Sequence, residues 1–122
     1  YLGVHEGPQS ISPLGYNVAL KPGMIISNEP GYYKAGQYGI RIENLVIVQN
    51  SEYEGEERPM LTFETITLAP IDTRLVNAHM MSASEITWLN IYHAKVREKI
   101  VPLLDGKEKE WLIRATESIT TL

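Results

Sequence analysis

From Gly23 to Val48 the chain reads as two strands folded back on one another. Gly23-Met24-Ile25-Ile26-Ser27-Asn28-Glu29 is an apolar arm that ends where Pro30 removes a backbone donor and Gly31 permits a turn. After Tyr32, Tyr33 and a polar tip, Gly39-Ile40-Arg41-Ile42-Glu43 returns, with Ile40 and Ile42 on one face and Arg41 and Glu43 on the other. The strand then continues through Asn44 to Val48. The predicted hairpin therefore carries one carboxylate on each arm, Glu29 and Glu43, where Ile, Leu and Val otherwise dominate.

The flanking segments follow the same logic. Tyr1 to Pro8 alternates up to a Gly-Pro stop, a short strand carrying His5 to its end, and Gln9 to Asn17 is a loop. Val18 to Gly23 turns the chain into the hairpin. Gln49 to Pro59 is an acid-rich connection whose Glu52, Glu54, Glu56 and Glu57 lack the spacing of a calcium loop, so it reads as a solvated turn. Met60 to Pro70 is a β-branched strand closed by proline. Its Glu64 either faces the same site as Glu43 or pairs with a cation or backbone group.

Beyond Ile71 the apolar period lengthens from two to nearly four. Ser82 with Glu85 is a capping box that opens a helix, and Ile86, Leu89, His93, Val96, Ile100 and Leu103 share one face. His93 on that stripe reads as a packed, hydrogen-bonded residue. Pro102 kinks or ends the helix, and Asp105-Gly106 breaks it. A second helix, from about Lys107 to Ser118, offers Trp111, Leu112 and Ala115 to the first. Trp88 and Trp111 read as core or interface anchors. Strands first and helices last, without βαβ alternation, is an α+β order.

Composition narrows the chemistry. The 122 residues suffice for one domain, and 43% apolar with 21% charged residues is ordinary for a folded soluble chain. A net charge of -4 without a basic cluster argues against nucleic acid. The absence of cysteine excludes disulfides, thiolate metal sites and cysteine nucleophiles, so any metal here is held by oxygen or imidazole. No apolar run approaches the ~20 residues of a membrane span, so no membrane partner is expected. The chain begins at Tyr1 within what reads as the end of a motif, which suggests a portion of a longer protein.

Two carboxylates on adjacent antiparallel strands can converge on hard divalent ions. Two such ions, about 3.5 to 4 Å apart, form a site for hydrolysing a polarised carbonyl. In that arrangement Glu43 bridges the ions, Glu29 binds one of them and serves as general base, and His5 reaches the carbonyl oxygen as charge develops. Arg41 and Tyr33 orient the ligands. A purely structural Arg41–Glu43 ion pair is the alternative that spacing leaves open.

Val4-His5-Glu6-Gly7-Pro8, Asn28-Glu29-Pro30-Gly31-Tyr32-Tyr33 and Gly39-Ile40-Arg41-Ile42-Glu43-Asn44 resemble, in order and spacing, the C-terminal half of the catalytic domain of Xaa-Pro aminopeptidase (aminopeptidase P). This family of pita-bread metallopeptidases also includes prolidase, methionine aminopeptidase and creatinase. The resemblance continues through Leu61-Thr62-Phe63-Glu64, Trp88-Leu89-Asn90, Tyr92-His93 and Trp111-Leu112, and so covers nearly the whole chain. It is nearest to the long, cytosolic type.

The resemblance implies half of a pita-bread fold, strand-rich over 1–70 and helical over 71–122, forming the C-terminal portion of one catalytic domain. Glu29 and Glu43 match two of the family's metal ligands, and His5 matches the histidine that contacts substrate. Arg41 and Tyr33 match residues that support the ligands. It also implies two divalent ions, manganese first with cobalt or zinc as alternatives, and a peptide substrate with proline at position 2. A cytoplasmic homodimer and association with the missing N-terminal part of the same protein follow from it as well.

The remaining ligands, two aspartates and a histidine, lie upstream in the family. The isolated chain is therefore expected to be inactive, and to self-associate through sheet surface that the rest of the domain covers. A prolidase-type dipeptidase fits less well, given Glu6-Gly7-Pro8 and the long helical tail. A non-catalytic peptide-binding module on the same fold is the third reading, but such modules lose the two glutamates that this chain keeps.

Overall fold

A computed structural model describes residues 7–12, 17–55 and 57–120. They fall into two compact units that divide between Thr67 and Leu68. The strand predicted around His5 lies outside the described residues.

The first unit is built on the predicted hairpin, in two segments. Strand β1 (Ile25–Asn28) pairs antiparallel with β4 (Asn44–Asn50), and β2 (Gly31–Lys34) with β3 (Tyr38–Arg41). The register is common to both segments, since Asn28 pairs with Asn44 and Gly31 with Arg41. Glu29-Pro30 and Ile42-Glu43 interrupt the strands at the same level, where the Ile42 N–H still donates to the Pro30 carbonyl at 3.2 Å. Proline at 30 lacks the N–H that an unbroken ladder needs there.

The tip turns through Ala35, Gly36 and Gln37, with Gly36 at φ 70°, a conformation that glycine adopts without a Cβ clash. The third strand of the larger sheet is β5 (Leu61–Thr65), antiparallel to β4, giving the order β1-β4-β5. It ends at Thr65, earlier than the strand predicted to Pro70. Ile66 still donates to the Leu45 carbonyl at 3.0 Å, beyond which the segment is irregular.

Alternation divides this sheet into faces. Ile26, Val46 and Val48 are buried on one, whereas Ile25 and Leu45 on the other remain 45% and 43% exposed. Leu61 and Phe63 on β5 are also exposed.

In the second unit, turns of 3-10 helix at Thr73–Leu75 and Ala78–Met80 precede α1 (Ala83–Ile100). The predicted capping box is present: Ser82 Oγ accepts the Glu85 N–H, and Glu85 Oε2 accepts the Ser82 N–H at 2.7 Å. The helix ends at Ile100, and Val101–Leu103, with Pro102, continue as 3-10 helix. That change of pitch swings Leu103 off the apolar stripe, leaving it 76% exposed rather than packed as predicted. Helix α2 (Gly106–Ala115) is shorter than predicted, because the chain leaves helical geometry at Thr116.

The core of this unit is Leu89, Tyr92, Val96 and Leu112, with Leu68, Ile71, Met81 and Ile119 packed around it. Only Leu112 and, partly, Ala115 of the predicted α2 face turn inward. Trp111 is 55% exposed along an open groove of about 620 Å³, beside Pro70, Ile71, Arg74 and Arg114. Trp88 is likewise half exposed, stacked on Tyr92 with ring centroids 5.5 Å apart.

Helix α1 secures the segments on either side of it through polar bonds. Tyr92 Oη donates to the Ala69 carbonyl at 2.7 Å, and His93 Nε2 accepts the Ile71 N–H at 3.1 Å. Asn90 exchanges two bonds with the Ile119 backbone, at 3.0 and 2.9 Å. Arg97 Nε donates to Thr116 Oγ1 at 2.9 Å, and its Nη2 donates to the Thr116 carbonyl. These partners satisfy backbone groups that regular structure leaves unpaired.

His93 is fully buried, and its Nε2 can accept from Ile71 only while unprotonated. Burial pushes its pKa below 6.5, and the Arg97 charge adds to that shift against the opposing backbone at Glu117 and Ile71. Below about pH 6.5 the unfolded chain binds a proton that the folded chain refuses, so stability falls as pH drops. The thermal midpoint should therefore decline from pH 7 toward pH 5.5. His93→Gln should lower the midpoint at pH 7 but flatten this slope, and an unchanged slope would show that His93 does not carry the dependence.

Candidate metal centre

The unbroken register places Glu29 and Glu43 opposite each other at the junction between the two strand pairs. Ser27, Glu29, Gly31 and Tyr33 alternate onto one face of the first arm, and Gly39, Arg41 and Glu43 onto the same face of the second. Like charges directly opposite on neighbouring strands repel. Arg41 supplies the counter-charge, its Nε lying 3.3 Å from Glu43 Oε2 and 3.8 Å from Glu29 Oε2.

The two carboxylates differ in their surroundings. Glu29 keeps 18% of its side-chain exposure against 36% for Glu43, and its Oε1 accepts the Ser27 hydroxyl at 2.9 Å. A side-chain hydrogen bond to Tyr33 is the first cause, ahead of Tyr33 and Glu43 electrostatics, that raises the Arg41 pKa above its ordinary value.

The four predicted residues that lie in the described structure are thus brought together: Glu29, Glu43, Arg41 and Tyr33. His5 is outside the described residues. Glu64 shares a face with Glu43 through its pairing with Ile47, but Oε2 accepts the Gln49 amide at 2.6 Å. His93 belongs to the helical unit, as the packing reading held.

Ser27 escaped the sequence reading, although its position two residues before Glu29 on a strand puts both on one face. Gly31 and Gly39 escaped it too, since glycine in a strand carries no side chain to consider.

As donors, two carboxylates suit hard divalent ions, and one oxygen of each already lies within 4 Å of a single positive group. Among the described residues no cluster of three or more His, Asp or Glu side chains is placed to hold a metal ion. At this position the described residues thus bring two carboxylate side chains together.

The order of antiparallel strands followed by two helices is that of the pita-bread metallopeptidases. The chain belongs to metallopeptidase family M24: residues 1–50 match that family and residues 59–119 match the C-terminal region of peptidase_M24.

A probable Xaa-Pro aminopeptidase P from Coprinopsis cinerea is 48% identical over 98% of this chain, which spans 20% of that protein. Aminopeptidase P2 of Arabidopsis thaliana is 47% identical over 97% of the chain, or 17% of its own length. The chain thus spans about a fifth of the length of these curated relatives. X-prolyl aminopeptidase from Caenorhabditis elegans, described as a cytosolic enzyme with a di-nuclear active site, matches at a TM-score of 0.83 and 34% identity. That match covers 94% of this chain and 19% of the nematode one. The fold is accordingly half of a pita-bread arrangement, antiparallel strands followed by two helices.

Without metal, Arg41 is the charge that lets Glu29 and Glu43 stand opposed. Arg41→Gln should lower the thermal midpoint of the metal-free protein at low ionic strength. The loss should shrink in 1 M salt, where the Debye length is about 3 Å. A loss independent of salt would assign Arg41 a packing role instead.

Proposed function

We propose that this chain is the C-terminal portion, strand-rich over 1–70 and helical over 71–122, of the catalytic domain of a dinuclear Xaa-Pro aminopeptidase. The complete protein removes the N-terminal residue that precedes proline. The observation that carries this reading is the opposition of Glu29 and Glu43 in one register, with a guanidinium between them. The relatives named Xaa-Pro aminopeptidase P and the di-nuclear nematode enzyme support it.

Glu29 and Glu43 would hold two divalent ions, manganese in the first instance, together with ligands from the preceding part of the protein. When bound, the ions polarise the scissile carbonyl and lower the pKa of water to generate a nucleophile. Ser27 restricts Glu29 by taking one oxygen, leaving the other for a ligand or a proton. Glu29 accepts a proton from the attacking water as general base. His5 donates a hydrogen bond where the carbonyl oxygen gains charge. Arg41 and Tyr33 hold the carboxylates in position.

A prolyl amide has no N–H to offer a general peptidase, and the roles of Glu29 and His5 do not require one. The same reading makes the complete protein a cytoplasmic homodimer, in keeping with the cytosolic nematode relative. No helix among the described residues is long and apolar enough to cross a membrane.

In the complete protein, stripped of metal and reloaded with Mn2+, a Xaa-Pro tripeptide should be cleaved at its first bond. Glu29→Gln and Glu43→Gln should each reduce kcat/KM by more than about 100-fold, beyond the usual effect of losing a residue that only supports a ligand. His5→Ala should reduce kcat by about 100-fold. Cleavage confined to dipeptides would instead make the protein a prolidase, and activity indifferent to both glutamates would remove the metal reading. The 122-residue chain by itself should show no Mn2+-dependent cleavage, a result that measurable turnover would reverse.

A further inference from the structure

Gly31 and Gly39 occupy regular strands, and neither has a positive φ. The backbone would accept any residue at either position, so the reason for glycine lies elsewhere. Tyr33 pairs directly with Gly39 across the ladder, and Gly31 is two residues back on its own strand and paired with Arg41. All four residues share one face.

A Cβ on Gly39 would sit 2.6 Å from Tyr33 Cδ1 and 3.1 Å from Cε1. One on Gly31 would sit 2.8 Å from both Cε2 and the hydroxyl oxygen. The ring therefore lies flat across both glycines and fills the space that two side chains would occupy. A glycine within a strand commonly marks such a close approach. With 55% of its surface exposed, Tyr33 is not wedged into a core, and the two glycines lie beneath its ring.

That direction matters because the hydroxyl lies over Gly31, whose cross-strand neighbour is Arg41. The Arg41 guanidinium in turn lies against Glu43 and Glu29.

We propose that Gly31 and Gly39 are positioning residues: they form a Cβ-free floor that lays Tyr33 toward Arg41 and so sets how Glu29 and Glu43 are presented to divalent metal. This role rests on the metal-site reading above. A methyl group at either position lifts the ring toward solvent rather than disrupting the strand, because the clash is with an exposed side chain and not with backbone.

The test is Mn2+ binding to the complete metal-stripped protein by calorimetry, with the thermal midpoint of the metal-free form recorded alongside. Gly39→Ala is expected to weaken Mn2+ binding about 10-fold, the scale on which groups supporting metal ligands act, with little change in midpoint. Tyr33→Ala should weaken it similarly. The double variant Y33A/G39A should bind no worse than Y33A, since the methyl then enters space the ring has left. Losses that multiply in the double variant, or a Gly39→Ala protein that binds like wild type, would overturn the proposal while leaving the metal reading intact. Wild-type protein that binds no Mn2+ would overturn both. If Gly39→Ala alone does not fold, the double variant must fold as Y33A does, and its failure to do so refutes a role exerted through the ring.

Discussion

Two like charges face each other across a strand ladder in this molecule, and the geometry of the β unit is arranged to tolerate them. The apolar arms around them, Ile25-Ile26 against Val46-Ile47, set a register that allows no other partner for Glu29 than Glu43. Strand pairing alone would penalise such an arrangement. Arg41 offsets the penalty from the same face, and Ser27 and Tyr33 constrain the two ends of the cluster. On the function proposed above, a divalent ion would take over the electrostatic role that the guanidinium fills here.

The helical unit solves a different problem. Its α1 is only moderately apolar, and four of its side chains hold irregular backbone on both flanks. Tyr92 and His93 reach Ala69 and Ile71, while Asn90 and Arg97 reach Ile119 and Thr116. A buried neutral imidazole is one consequence, and it makes this unit sensitive to mild acid although it contains no part of the proposed metal centre.

Much of this was legible in the residues. The period-two stretch gave the hairpin and its facing, and the Ser82–Glu85 box gave the start of α1 to the residue, because both are local rules with little competition. What the period could not show was the interruption at Glu29-Pro30, where a missing N–H divides one hairpin into two sheets without shifting its register. Leu103 was misplaced for a related reason: a helical wheel assumes a constant pitch, and the 3-10 turn at Val101–Leu103 alters it. Trp111 belongs to the separate helix α2, where it stands about 100° round the axis from the buried Leu112 and so falls at the rim of the inward face. Glycines that act by lacking a Cβ leave no mark on a hydropathy pattern. Their part became visible only when the Tyr33 ring was seen lying on them.

The proposed role of Glu29 and Glu43 as metal ligands, paired to Arg41 when no metal is bound, can be tested in crystals. Anomalous scattering from crystals of the complete protein grown with Mn2+ addresses it most directly. Two peaks are expected beside Glu29 and Glu43, with the Arg41 guanidinium drawn back from between the carboxylates. Crystals with no peak at either glutamate, and with Arg41 still paired to both, would contradict it.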